Sequence, residues 1–438
     1  MRRSTAAKRG AGIAAIAVLA LAASACSSSS SKSGGSASGS AAKDPASVKG
    51  TVTWWDTSDA TNEAPNYQPI IKAFEAKYPN IKVDYVNVPF SDAEDKFKTA
   101  AQSGSGAPDV LRADVGWTPA FAQLGYLQPL DGTPALADDS DYMPGPYASD
   151  HYNGKIYGVP QVTDTLSLLY NKDLLAKAGI ATPPKTWDEL KTDSLQIKAK
   201  TGADGTFLNA ASYYLLPFIY GEGGDIIDAS AKKITVNDAT ALKAVGIAQD
   251  LVKSGAAVTD VTKDGYNNMQ TAFKDGKVAM VVNGPWSTAD DLKGSAFGNA
   301  DNLGIATVPA GSVKAGAPVG GHNLVVYAGS KNLDASYLFI AFLNDAQNQA
   351  TIAAKNNVLP TRTSAYSDPQ VANNKILSAF EGPLKNAVGR PPVAGASDLF
   401  TPLDTDYQAI LGGQKSPQAA LNDAATQFAQ ILPGFSKS

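Results

Sequence analysis

The chain has 438 residues, 37 basic and 41 acidic side chains, a formal net charge of −4, two histidines and one cysteine. An acidic body argues against a nucleic-acid partner. One cysteine leaves no intramolecular disulfide and no thiolate zinc site, and His151 and His322 are too few for a histidine metal cluster.

At the N-terminus, Arg2, Arg3, Lys8 and Arg9 precede an apolar run from Ile13 to Ala23, then Ser24, Ala25 and Cys26. This is the layout of a bacterial lipoprotein signal over residues 1–25, cut before Cys26, whose thiol then receives a diacylglycerol. Ala23 stands where such signals usually carry leucine, so the alternative is an ordinary secretory signal that contains a cysteine. Residues 26–48, rich in Ser, Gly and Ala, read as a flexible tether. Loss of residues 1–25 removes four bases and no acid, so the net charge falls from −4 to −8. No second apolar run of ~18 residues follows, and about 390 residues remain, enough for two lobes.

The body alternates strands and helices. Thr51–Asp56 (TVTWWD) is a β-branched and aromatic strand, followed by Tyr67, Ile70, Ile71, Phe74 and Tyr78 at helical spacing and a second strand over Ile81–Val88. Ala93, Phe97, Ala100 and Ala101 share a helical face, and a break at Gly104–Pro108 leads to a short strand over Asp109–Arg112. The pattern recurs at Leu166–Tyr170, in helices opening near Asp188 and Asp238, and in the strand Val278–Val282. The C-terminal part reads as mostly helical, with Ser416 and Pro417 as cap and first turn of a last helix. Such alternation predicts an α/β fold with mainly parallel sheets.

There is no GxxxxGK[ST] loop, GxGxxG turn, HExxH or GxSxG motif, which argues against hydrolysis of ATP or esters by the chain itself. Ligands of open α/β sheets bind beyond the carboxyl ends of strands. Residues at such ends are Trp54, Trp55 and Asp56, then Arg112, Asp114 and Trp117, then Asp164, then Trp286 after VAMVVNGP, and Gly320, Gly321 and His322 ahead of NLVVYAG. Tryptophan with carboxylates and arginine suits a carbohydrate, whose C–H face packs on a ring while its hydroxyls bond planar polar groups. Each residue also has a structural reading. One of Trp54 and Trp55 should point into the core, Asp114 and Asp164 could cap loops, and the glycines could serve a backbone turn.

The segments TVTWWDTSDATNEAPNY, GAPDVLRADVGWTPAFAQLGYL, YNGKIYGVPQVTDTLSLLYNKDLL, PPKTWDEL, FKDGKVAMVVNGPW, VGGHNLVVYAG and VLPTRTSAY, in that order, resemble the extracellular solute-binding proteins of sugar ABC importers. Within that family the chain is most similar to the maltose/maltodextrin-binding lipoproteins of actinobacteria. The resemblance implies a periplasmic-binding-protein-like (type II) fold of two lobes with a hinge and a sugar cleft. The N-lobe would comprise 49–161 plus 313–363 and the C-lobe 162–312 plus 364–438. It also implies that Glu63, Asp114, Trp117 and His322 face the sugar from one lobe, that Asp164 stands at the crossing, and that Tyr213, Trp286 and Arg390 face it from the other. Asp56, Arg112 and Gly321 complete the candidate binding set, with no catalytic residue, metal or cofactor. The implied partners are an oligosaccharide, the importer's membrane subunits and, through Cys26, the outer face of the cell membrane; the implied state is a monomer. Another oligosaccharide, such as trehalose or cellobiose, is the alternative cargo. A surface glycoside hydrolase is the alternative of a different class, because spacing alone does not exclude paired acids.

Overall fold

The computed structural model describes residues 44–437, so the signal segment, Cys26 and the tether up to Lys43 lie outside the described residues. The folded body begins before Lys49. Asp44 accepts a hydrogen bond from the Ala46 N–H at 3.0 Å and caps a short turn over Pro45–Ser47, and Val48 is already buried.

The first sheet is built from β1 (Gly50–Asp56), β2 (Ile81–Asn87), β3 (Val110–Asp114), β4 (Gly158–Thr165), β10 (Ala317–Val326) and β11 (Leu359–Pro360). Its strand order is β11-β4-β10-β3-β1-β2, and β12 (Ala387–Val388) pairs with the start of β10. The second sheet holds β5 (Ser167–Asn171), β6 (Asp204–Asn209), β7 (Ala257–Asp260), β8 (Val278–Asn283) and β9 (Leu303–Ala306), in the order β7-β6-β8-β5-β9.

Pairing is mixed rather than mainly parallel. It is parallel where a helix carries the chain back, as between β1 and β2 across α1 (Gln68–Lys77), or from β6 to β7 across α4 (Ala239–Lys253). It is antiparallel where strands cross between the sheets: β10 runs against both β3 and β4, and β5 runs against β8 and β9. A strand that arrives from the neighbouring sheet enters from the end at which the helix-linked strands leave, so its direction is reversed. The architecture is α/β with two lobes, each a central sheet flanked by helices.

Both sheets are covered on both faces, which explains the unbroken apolar runs. Leu168 and Met280 enter one core while their neighbours Leu169 and Val281 enter another. The same holds for the paired tryptophans of β1, both of which are buried. Trp54 packs among Tyr67, Phe74 and Phe339, and Trp55 lies on the opposite face with Phe97 and Phe121. Helix boundaries follow their caps: Thr186 accepts from the Glu189 N–H ahead of α3 (Trp187–Thr201), Asp238 from Ala241 ahead of α4, and Ser416 from Ala419 ahead of α10 (Pro417–Ile431). Helices α9 (Phe400–Leu411) and α10 bury Leu403, Tyr407, Leu421 and Phe428 in the core of the second sheet.

Only Leu166 separates β4 of the first sheet from β5 of the second. Gly320, Gly321 and His322 lie within β10 instead of ahead of it, and the register slips between His322 and Asn323. Glycine is required there because a Cβ on Gly321, at φ +126°, would sit 2.1 Å from the Val162 carbonyl oxygen.

Candidate functional site

The register of the first sheet assembles the site. Asp114 at the end of β3 stands opposite His322 of β10, and Gly320 of β10 stands opposite Asp164 of β4. Trp55 pairs with Leu111, so Asp56 and Arg112, each one residue further on, come side by side.

Arg112 is buried at 3% exposure, where an unpaired cation would be costly, and it is met by two acceptors and a nearby carboxylate. Its Nε donates to Gln161 Oε1 at 2.8 Å and its Nη1 to Thr57 Oγ1 at 3.2 Å, with Asp56 Oδ1 3.8 Å from Nε. Both oxygens of Asp56 are engaged by the protein. Oδ1 accepts from the Ser58 hydroxyl at 2.7 Å, and Oδ2 from the Tyr85 hydroxyl at 2.6 Å.

Arg390, from the segment after β12, donates through Nη2 to Asp114 Oδ1 at 2.7 Å and through Nε to the Val319 carbonyl at 3.1 Å. Its guanidinium carbon lies 5.8 Å from the centre of the Tyr213 ring. Burial alone would disfavour the Arg390 cation, but Asp114 and Tyr213 outweigh that and hold its pKa above the ordinary value. Asp164 is buried, and desolvation together with the Asp114 charge pushes its carboxyl up to about 7 against the pull of Arg390 and Arg112. A Cβ on Gly320 would fall 2.1 Å from Asp164 Oδ1 and 2.8 Å from the Tyr213 hydroxyl, so the missing side chain is what lets these two groups converge.

Glu63 belongs to the same electrostatic group. Its Oε2 accepts from the Asp59 N–H at 3.1 Å, while Oε1 is buried without a hydrogen-bond partner. Desolvation pushes this carboxyl up to about 7, with Arg112 opposing. Both ring nitrogens of His322 are likewise buried and unpartnered. Desolvation, then the positive charges of Arg112 and Arg390, hold its pKa well below the usual imidazole value, so the ring is neutral.

Aromatic faces flank this polar group from both lobes. Phe90 stacks on Trp117 at a centroid distance of 5.1 Å and 21° between planes, and meets His322 edge-on at 5.7 Å. Phe90 is 49% exposed and went unread in the sequence, although it follows the end of β2 just as the chosen residues follow their strands. On the second lobe, Trp286 opens α6 (Pro285–Asp291), and its Nε1 donates to the Tyr266 hydroxyl at 3.2 Å. The indole lies directly over Gly284, where a Cβ would be 1.9 Å from the ring. Tyr266, on α5 (Gly265–Lys274), is a second residue that sequence reading missed; its hydroxyl feels the charge of Glu63 across the lobes.

Glu63, Arg112, Asp164, Tyr213 and Arg390 are thus close enough for charge on one to act on another, and the Asp114 charge acts on Asp164, Tyr213 and Arg390. Trp117 and His322 border them on one side and Trp286 on the other. Gly321 contributes backbone, its carbonyl accepting the Val115 N–H at 3.1 Å. The arrangement combines fixed donors, protonatable acceptors and exposed ring faces, the requirements for holding a polyhydroxylated ring.

Residues 59–350 match the model of the family described as bacterial extracellular solute-binding proteins. The GacH receptor of Streptomyces glaucescens GLA.O, solved unliganded and in complex with acarbose, is 49% identical, with a TM-score of 0.86 over 89% of this chain and 100% of that one. Maltose-bound MalE3 of T. maritima is 25% identical, with a TM-score of 0.80 over 87% of this chain and 100% of that one. A maltooligosaccharide ABC transporter solute-binding lipoprotein of Streptococcus pneumoniae is 30% identical over 380 residues, 83% of this chain and 85% of the relative.

Proposed function

Because this chain belongs to the bacterial extracellular solute-binding proteins, we propose that it captures maltose or a maltodextrin between its lobes and delivers it to the membrane subunits of an ABC importer. The observation that carries this reading is the placing of Trp117 and Phe90 on one lobe and Trp286 on the other, around a polar group of Arg112, Asp114, Asp164 and Arg390. The acarbose complex of the Streptomyces receptor and the maltose complex of the Thermotoga protein support an α-glucan or a close mimic as the cargo.

The mechanism is binding and closure. Sugar enters the open cleft, contacts both lobes, and shifts the equilibrium toward the closed form in proportion to its tighter binding there; the closed form docks on the importer. Each stacked ring adds about 1 kcal/mol beyond area burial, and each hydrogen bond to a charged group about 1.5–3 kcal/mol. A few of each reach micromolar affinity, about 8 kcal/mol. Two of the site's four carboxylates are committed to protein partners. Asp56 is saturated by protein donors and Asp114 is paired with Arg390, which leaves neither as a nucleophile.

In this reading the lobes are 49–161 plus 313–363 and 162–312 plus 364–438, the protein acts as a monomer, and a lipid on Cys26 holds it on the extracellular face of the cell membrane. A thermal-shift panel of maltose, maltotriose, acarbose, trehalose and cellobiose tests the cargo. The largest stabilisation is expected from maltotriose or acarbose; none from any α-glucan defeats the reading, and a larger shift from cellobiose or trehalose replaces it with the alternative cargo.

A further inference from the structure

Strand β4 carries one residue more than β10 can pair. Val162 stands opposite His322 and Pro160 opposite Asn323, so Gln161 between them is the extra residue of a β-bulge. Its effect is visible in the core. Val159 and Val162 are three apart, yet both pack on the face of Trp54, where simple alternation would send them to opposite faces. Gln161 comes to the same face as its neighbour Val162, and there it meets Arg112, two residues past Val110 of that core.

The bulge is anchored from behind. Pro160 has no N–H to leave unpaired where the ladder is interrupted. Its carbonyl accepts from the Thr361 hydroxyl at 2.6 Å, from Asn344 Nδ2 at 2.8 Å and from Gln349 Nε2 at 3.2 Å. Asn344 follows α7 (Leu333–Leu343), and Gln349 lies on α8 (Ala346–Asn356). Gln349 Oε1 accepts the Thr361 and Arg362 N–H groups, each at 2.9 Å, so one side chain grips both β4 at the bulge and the residues that follow β11.

An arginine only donates, so Gln161 must turn Oε1 toward it. The Nε bond to Gln161 at 2.8 Å and the Nη1 bond to Thr57 at 3.2 Å hold two corners of a rigid planar group, which fixes its plane. The third corner, Nη2, makes no hydrogen bond to the protein among the described residues.

We propose that Gln161 is a positioning residue: the bulge carries it to Arg112, and by accepting from Nε it sets the guanidinium plane so that Nη2 is offered to a ligand hydroxyl. The offer to a hydroxyl rests on the sugar-binding reading; the setting of the plane does not.

Gln161→Met keeps the length of the side chain and removes the acceptor, whereas Gln161→Glu keeps an acceptor oxygen. In sugar-free protein, the Arg112 Nε–H resonance, identified by its loss in Arg112→Lys, is expected to exchange with solvent roughly tenfold faster in Gln161→Met, with exchange in Gln161→Glu staying near the wild-type rate. With maltotriose as probe, Gln161→Met is expected to weaken binding roughly five- to tenfold, the effect of about one hydrogen bond, and Gln161→Glu to recover most of that loss. In an Arg112→Lys background, which lacks Nε, Gln161→Met is expected to cost nothing further. Gln161→Ala also removes the acceptor and takes the place of the methionine variant if that one does not fold. An unchanged Nε–H exchange rate, a glutamate variant no better than the methionine one, or losses that add to that of Arg112→Lys overturns the proposal. If wild type ignores maltotriose while the exchange rates behave as expected, the setting of the plane stands and the sugar reading falls.

Discussion

Lys98 Nζ lies 2.7 Å from Asp398 Oδ1, and the pair joins the two lobes. Lys98 follows Phe97 on α2 (Phe90–Ser103), which packs on the first sheet, whereas Asp398 precedes Leu399 in the core of the second. Glu94 reinforces the contact, 2.9 Å from Lys98 and accepting from the Ser397 hydroxyl at 3.1 Å. The pair is partly exposed, so its strength is about 0.2–1 kcal/mol. Asp398→Ala is therefore expected to favour the open form and weaken sugar binding up to about fivefold at low salt, with the difference shrinking near 1 M salt. Equal titration curves for variant and wild type at low ionic strength would show that the contact does not bias closure.

Trp286→Ala removes a ring face and the donor that holds Tyr266. A loss of about 2 kcal/mol or more is expected for such an anchor, roughly thirtyfold in Kd, together with most of the thermal shift given by maltotriose. Isothermal titration reads it directly, and an unchanged Kd would remove Trp286 from the site.

Glu63 and Asp164 carry folded-state values near 7 against ordinary values of 4.5 and 3.8. A carboxyl whose value is raised by folding binds its proton more tightly in the folded state, so protonation favours the fold. Stability from these groups is full below their unfolded-state values and is lost as pH rises through about 7. The melting temperature of the sugar-free protein is expected to fall between pH 5.5 and 8.5, and Glu63→Gln to flatten that slope. A melting temperature that climbs over this interval contradicts the burial argument.

Gly321→Ala places a methyl group 2.1 Å from a carbonyl oxygen at a φ of +126°, and is expected to destabilise by at least about 2 kcal/mol in urea unfolding. Gly246, inside α4 with open space around its Cβ position, is the contrasting case. Gly246→Ala is expected to stabilise by about 0.5–1 kcal/mol, and a common sign for both would refute the steric account.

Cys26→Ser is expected to release the protein into the medium while leaving sugar affinity unchanged, because the binding groups all lie within the folded body. Fractionation of cells followed by titration of the released protein separates the two effects. Retention of the serine variant at the membrane would exclude a lipid on Cys26 as the tether.

What the sequence made legible was local. Caps at Thr186, Asp238 and Ser416 and the apolar runs of β1, β5 and β8 mark their elements because hydrogen bonds and side-chain alternation act within a few residues. Two-sided burial of Trp54 and Trp55 was not legible, since a covered and an open sheet face carry the same strand. Nor was the continuation of β10 through Gly320–His322, which depends on the close approach of β4. Asp114 closes β3 and Trp286 follows β8, whereas Asp164 and His322 lie within β4 and β10, and Phe90 and Tyr266 enter through contacts with Trp117 and Trp286 that no local pattern encodes.

Leu166, the one residue between β4 and β5, bears on kinetics. A crossing this short leaves few backbone torsions to search, so relative motion of the lobes is confined to a small set of rotations and carries little chain entropy. Release of a sugar held between the lobes requires them to part, so the lifetime of such a complex follows the opening rate. Lengthening this crossing with added glycines would shorten residence time while leaving each lobe's interior untouched.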